Sequence, residues 1–141
     1  MTGPLAPGDP LPGLVVDALD PRRMQVLALL LTDPNPIHYD REVVRRLGLG
    51  DREVNQGPSN MAIAANLVQQ AFPDGRITAI DLRLLGQAFA GDRVLASGSV
   101  SGVAAVGASV QIACTVEVRT DAGTVLVRGT VTTTRPAASG E

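Results

Sequence analysis

Between Thr32 and Asp40 the chain reads TDPNPIHYD, and this stretch holds its only histidine, His38, five positions after the carboxylate of Asp33. An imidazole titrates near neutral pH, and a carboxylate beside it can fix its tautomer or share a proton. Together they are the minimum equipment for moving protons to and from a water molecule. The prolines bear on whether the two can meet. Pro34 and Pro36 fix their own φ and push Asp33 and Asn35 toward extended conformations, so a stiff, non-helical turn is expected, on which Asp33 and His38 converge. Asn35 is expected to brace that turn through side-chain hydrogen bonds to backbone. A plainer reading competes: a lone histidine near an aspartate is more often a surface or cap residue, and Asp40 is well placed to cap a helix beginning near Arg41.

The flanking segments must hold this turn in place. Residues 1–13 are rich in Pro and Gly and read as irregular. Met24 to Leu31 is continuously apolar and fits a buried strand or a short helix, with helix preferred. In REVVRRLGL, Val43, Val44 and Leu47 fall on one side and Gly48 is a natural stop, which predicts a short helix. The main helix is expected from Pro58, with Met61, Ala64, Ala65, Val68 and Phe72 at helical spacing until Pro73-Asp74-Gly75 ends it. Its small residues Ala62, Ala64 and Ala65 allow close approach to a sheet, and its polar Asn60 and Asn66 are expected to face solvent. From Arg76 the pattern becomes strands parted by turns at Ala90-Gly91-Asp92, near Gly102 and at Asp121-Ala122-Gly123. Ile112, Cys114, Val116 and Val118 share one face, as do Val125, Val127, Gly129 and Val131. An antiparallel sheet with one covered face follows, and a disordered tail is expected over 136–141.

At 141 residues the chain reads as a single domain, 1–141, able to bury about two thirds of the surface its unfolded form exposes. Hydrophobic residues make up 45%, yet with two Phe, one Tyr and no Trp the core must be built from Val, Leu, Ile and Ala. The net charge is −2, and all twelve basic residues are scattered arginines. Without a basic stripe or stacking aromatics, nucleic-acid binding is not expected. Cys114 lies in an apolar strand pattern and reads as a small core residue. No signal peptide is recognisable and no apolar run approaches the ~20 residues that span a bilayer, so a soluble, cytoplasmic protein is expected.

An antiparallel sheet around one long apolar helix, preceded by a D-x-N-P-I-H-x-D turn and a glycine just before the helix, resembles the MaoC-like (R)-specific enoyl-CoA hydratases of the hotdog superfamily. The likeness spans nearly the whole chain. Asp33, Asn35, Pro36, His38 and Asp40 match the family's hydratase motif in spacing and identity. Gln56-Gly57 stands where the family commonly has His-Gly, and Phe89-Ala90-Gly91-Asp92 is similar to a hairpin after its second main strand. Two positions depart from the pattern: Gln56 replaces the usual histidine, and Pro58 stands where Met or another apolar residue is more common. The variant NQGPSNMA resembles divergent members found in heteromeric hydratases acting on bulky acyl groups, including steroid side chains.

The resemblance implies an α+β hotdog fold and a hydro-lyase of lipid metabolism, reversibly hydrating trans-2-enoyl thioesters to (R)-3-hydroxyacyl thioesters. Asp33 and His38 would hold and deprotonate the attacking water. The backbone N–H of Gly57, at the positive end of the long helix, would receive the charge on the thioester oxygen, with Gln56 a secondary substrate contact. The substrate would be carried by CoA or acyl-carrier protein, its phosphates met by arginines such as Arg83, Arg93 or Arg119. A homodimer is expected, or a heteromer with a related hotdog chain; no cofactor and no metal are expected. Two alternatives remain. A hotdog thioesterase would need a carboxylate on the main helix, and none lies between Pro58 and Phe72. A non-catalytic acyl-CoA-binding chain would have little chemical reason to carry both Asp33 and His38.

Overall fold

The computed structural model describes residues 1 and 4–137. Within them, five strands form one antiparallel sheet: β1 (Leu14–Val16), β2 (Arg76–Leu84), β3 (Val94–Val106), β4 (Ser109–Thr120) and β5 (Val125–Pro136), in the order β1-β3-β4-β5-β2. Alternation builds its covered face. In β4 the expected quartet Ile112, Cys114, Val116 and Val118 is buried, while Thr115 between them and Gln111 and Arg119 at either end are exposed and Ala113 and Glu117 are half-buried. In β5, Val127 and Val131 are buried opposite them, and Leu126 is buried as well beside the register shift at Val118/Arg119, where a bulge can turn two successive residues inward. Gly129 interrupts this row for a steric reason: a Cβ there would collide with the Asp81 carbonyl of β2.

Strand β3 outruns its expected end. Its pairing with β4 shifts between Val100 and Gly102 and then continues to Val106↔Ser109, so Gly102 marks a bulge and not a terminus. The chain's start is irregular but pinned: the Gly8 and Leu11 N–H groups donate to the Val100 and Gly98 carbonyls at 2.8 and 2.9 Å, and Leu11 is buried. At the other end Pro136 still belongs to β5, and the Ala137 N–H donates to the Ala108 carbonyl, so the strand continues past Arg135. The rest of the expected tail, 138–141, lies outside the described residues.

Helix α3 (Gly57–Ala71) covers the sheet, packing across β2 to β5. It begins one residue before Pro58, which occupies the first turn, where a missing N–H matters least. Asn60, Ile63, Ala64, Leu67, Val68 and Ala71 form its buried face, and Phe72 closes it. The face is rotated from the expected one, with Ile63 and Leu67 inward in place of Met61 and Ala65. A helix apolar on most sides carries no periodicity that fixes its azimuth, and the sheet makes the choice. Burying a side chain such as Leu67 or Phe72 contributes roughly 1.5–3 kcal/mol.

Candidate active site

Two short helices and the turn between them lie on the path from β1 to α3. Helix α1 (Pro21–Leu30) resolves the apolar run as helix: Asp20 caps it, its carboxylate accepting from the Arg22 N–H at 2.9 Å, and Pro21 supplies a preset φ. The helix ends in a Schellman closure, with the Thr32 N–H donating to Leu29 and the Asp33 N–H to Ala28, at 3.2 and 2.8 Å. Thr32 holds the left-handed position of that closure at φ 51°, a conformation unfavourable for a β-branched residue. Asp33 is thereby anchored by its own backbone to the end of α1.

From there the turn is built from side chains biting back on backbone. Asp33 Oδ1 accepts from the Asn35 N–H at 3.0 Å, and Asn35 Oδ1 from the Ile37 N–H at 3.3 Å. Pro36–His38 forms one 3₁₀ turn, and the Tyr39 hydroxyl donates to the Pro34 carbonyl at 3.0 Å. Asp40 then caps helix α2 (Arg41–Arg46), accepting from the Glu42 and Val43 N–H groups. Gly48, at φ 70°, takes the left-handed position after it.

This framework brings Asp33 and His38 together. His38 Nε2 lies 3.3 Å from Asp33 Oδ2; the imidazole is nearly buried and the carboxylate 31% exposed. On the ring's far side, Nδ1 lies 2.6 Å from the Val54 carbonyl oxygen. A carbonyl only accepts, so Nδ1 carries the hydrogen, and Nε2 is turned to the carboxylate and to whatever shares that space. Val54 is held in its turn: its N–H donates to Ile37, and the residues on either side bond to Ala88 and Ala90. Glu53, buried, receives Arg41 Nε at 3.1 Å on both carboxylate oxygens, which ties the start of α2 to the strip bearing Val54. A cavity of ≈ 480 Å³ opens beside the carboxylate, lined by Asp33 with Ala28, Leu29, Thr32 and Tyr39.

Gly57 is the first residue of α3, and its N–H has no hydrogen-bond partner among the described residues, the usual state of a helix's leading donors. A Cβ at this position would sit 2.7 Å from Leu84 Cδ1, so glycine admits the leucine here. Gln56 is 1% exposed; its Nε2 donates to the Met24 carbonyl at 2.7 Å, tying the start of α3 to α1, while its Oε1 has no partner among the described residues. Asn60 does not face solvent as expected. It is buried, and its Oδ1 accepts from Asn55 Nδ2 at 2.7 Å, a partner that makes burial of the amide tolerable. Asn66 is exposed.

Val54, Glu53, Arg41 and Asn55 were not singled out from sequence. A backbone acceptor leaves no residue-type signal, and Glu53 and Asn55 stand in the polar run Asp51–Gln56, where nothing in the sequence marks them as buried. Of the arginines considered for phosphate, Arg93 pairs with Asp17 at 3.5 Å, and none of Arg83, Arg93 and Arg119 lines the cavity beside Asp33. Cys114 lies in the core, where burial pushes its thiol up to about 11. Among the described residues no group of three or more His, Cys, Asp or Glu side chains is gathered to hold a metal ion.

A family model described as MaoC like domain matches residues 6–122. The chain belongs to the MaoC-like family. Its fold is shared with the R-hydratase PhaJ1 from Pseudomonas aeruginosa (TM-score 0.81, 17% identity, 97% of this chain and 89% of the other). The (R)-hydratase from A. caviae involved in PHA biosynthesis is comparably similar (TM-score 0.80, 19% identity, 94% and 98%). The ChsH1-ChsH2 complex from Mycobacterium tuberculosis contains a chain that matches at 25% identity (TM-score 0.75, 97% and 100%). No curated protein sequence is a significant match. The expected α+β hotdog architecture, a sheet wrapped on one central helix, is thus the one this MaoC-like chain adopts.

Proposed function

We propose that this MaoC-like chain reversibly hydrates trans-2-enoyl thioesters to (R)-3-hydroxyacyl thioesters, with Asp33 and His38 as the acid/base pair. The observation that carries the reading is the 3.3 Å approach of His38 Nε2 to Asp33 Oδ2 at the edge of a cavity. A water held by the pair gives up one proton to it as the water oxygen bonds to C3. The π electrons move through C2 onto the thioester oxygen, where the Gly57 N–H receives the developing charge. The enolate then collapses, and C2 takes a proton from the pair, which returns to its starting state. Losing a donor such as the Gly57 N–H would raise the barrier by on the order of 3 kcal/mol.

The absence of Asp and Glu from α3 favours hydration over thioester hydrolysis, since the helix offers no carboxylate to drive water onto the carbonyl. A homodimer is the default assembly. The likeness to a chain of the ChsH1-ChsH2 complex, over nearly the full length of both, supports a second reading in which this chain works as one subunit of a heteromeric hydratase. No helix among the described residues is long and apolar enough to cross a membrane, and the reading includes a cytoplasmic location. The test is to purify the chain alone, supply a short trans-2-enoyl-CoA, follow loss of the conjugated thioester's absorbance, and resolve the product by chiral chromatography. An (R) product supports the proposal, an (S) product rejects it, and turnover only after adding a related hotdog chain selects the heteromeric form.

A further inference from the structure

We propose that the outer edge of β3 from Gly102 to Val106 pairs antiparallel with the same edge of a second copy of this chain. The inference is independent of the acid/base reading, because no residue of that site takes part.

Strand β3 has a neighbour along its first half only. β1 covers Val94 to Ala96, and the backbone of Leu11, Asp9 and Gly8 lines the edge as far as Val100. There the segment leaves the edge through a turn, the Asp9 N–H donating to the Ala6 carbonyl at 3.1 Å, and Leu5 packs onto the core. Beyond Val100, no backbone hydrogen bond reaches the outer side of β3 from the described residues. The end of β5 cannot serve, since it pairs with β4 on the side away from this edge. Val103 and Val106 are 40% and 54% exposed, and Ala104 and Ala105 between them are exposed too. Arg93 and Glu117 bracket the hairpin, and neither a charge nor a proline stands between them. Exposed strand edges are ordinarily blunted by such residues or else covered. Only cover is left for this one.

Charge and shape both suit a second copy. A charged strand set antiparallel against itself would oppose like charges, and this stretch has none to oppose. Gly102 has no reason within its own chain to be glycine: its φ is not left-handed, and a Cβ there would meet only Ala113 Cβ, at 3.9 Å. It leaves a notch on the edge. With Ala104 facing its own copy across a two-fold axis, each Val106 faces the partner's Gly102 and each Val103 faces the partner's Ala105. Facing residues then lie on the same side of the joined sheet, and a large side chain meets a small one at each step. The pairing ends at Ser101, next to the residue where the Gly8 segment takes over. So short a contact falls well below the about 800 Å² per partner of a standard stable interface, and the association is therefore reversible and set by concentration.

Sedimentation equilibrium over a range of concentrations tests this on the wild type, Gly102→Val, Ala104→Lys and, as a control, Thr115→Lys, which places the same charge on the sheet away from the edge. Wild type and Thr115→Lys are expected to double in mass as concentration rises. Both edge variants should need about tenfold more protein or beyond to do so. Gly102→Val is the sharper probe, because valine suits a lone strand and removes only the notch, so its melting temperature should not fall. On a Cys114→Ala background, Ala104→Cys should oxidise to a covalent dimer, since directly facing Cα atoms lie about 4.5–5.5 Å apart, within disulfide reach. Val106→Cys stands about 13 Å along the strand from its own copy and should stay reduced. Equal masses for wild type and the edge variants at every concentration, or cross-linking through Val106→Cys in place of Ala104→Cys, overturns the inference.

Discussion

The Val54 carbonyl oxygen stands 2.6 Å from Nδ1 of His38, and the same residue's N–H is bound to Ile37, so one backbone unit grips the 3₁₀ turn at two successive positions. A side chain in this role could be lost by substitution. A main-chain oxygen cannot, and the imidazole's orientation then depends on how firmly the strip around Val54 is held.

Asp33→Asn and His38→Ala are expected to lower hydration of a short trans-2-enoyl-CoA by about 10²-fold or more, the range typical of a positioned proton-transfer group. The asparagine keeps an oxygen for the Asn35 N–H, so Asp33→Asn should melt close to wild type, whereas His38→Ala strips the buried Val54 carbonyl of its partner and should lose about 1–3 kcal/mol. Near-normal turnover in either variant, measured where it is folded, would remove the dyad from the mechanism.

Arg41→Ala leaves the nearly buried Glu53 carboxylate without its cation. Removing one partner of a buried pair costs about 3–5 kcal/mol; the half-exposed guanidinium places this case at or below the low end. Urea titration should show a loss of roughly 2–3 kcal/mol by that reasoning. Activity measured under folding conditions should fall with it, because the Val54 strip loses its tie to α2.

Thr32→Gly tests the strain at the end of α1. A left-handed backbone is unfavourable for a β-branched residue by roughly 1–2 kcal/mol, and glycine relieves this while adding some unfolded-state entropy. A net gain near 1 kcal/mol in urea titration is expected on that balance. Thr32→Val should bring no gain, and equal stability of the two variants would show that the φ of 51° carries no penalty here.

Cys114 makes a pH prediction. Burial raises its thiol from 9.0 to about 11, so the unfolded chain loses this proton first as the solution becomes alkaline. The associated stability is fully present below pH 9 and is lost as pH rises toward about 11. Cys114→Ala lacks that dependence, so its stability relative to wild type should improve across the same window in urea titrations; a constant difference would refute the assignment. At neutral pH the wild-type thiol should resist alkylation until the protein unfolds.

What was legible in the residues was local. Pro34 and Pro36 limit the chain between Asp33 and His38, so their meeting followed from a few dihedral angles, and strict alternation in β4 marked its buried face without ambiguity. What was not legible came from distant partners. The helix azimuth of α3 was set by the sheet, because Met61 and Ile63 are equally apolar. Asn60 looked solvent-facing because Asn55, its partner, sits in a different element. The far half of β3 has no burial contrast along Val103–Val106, so Gly102 passed for an end. No side-chain pattern announces that a main-chain oxygen at Val54 will hold a histidine.

Asp33 and His38 both ride on one hexapeptide outside the sheet, and the buried imidazole packs against the Val54 strip and not within the apolar core beneath α3. Inheritance of shape is thus uncoupled from inheritance of reactivity. If the proposed mechanism holds, drift at these two codons would silence the chain while leaving the sheet and α3 untouched, and reversal at the same two codons would restore activity.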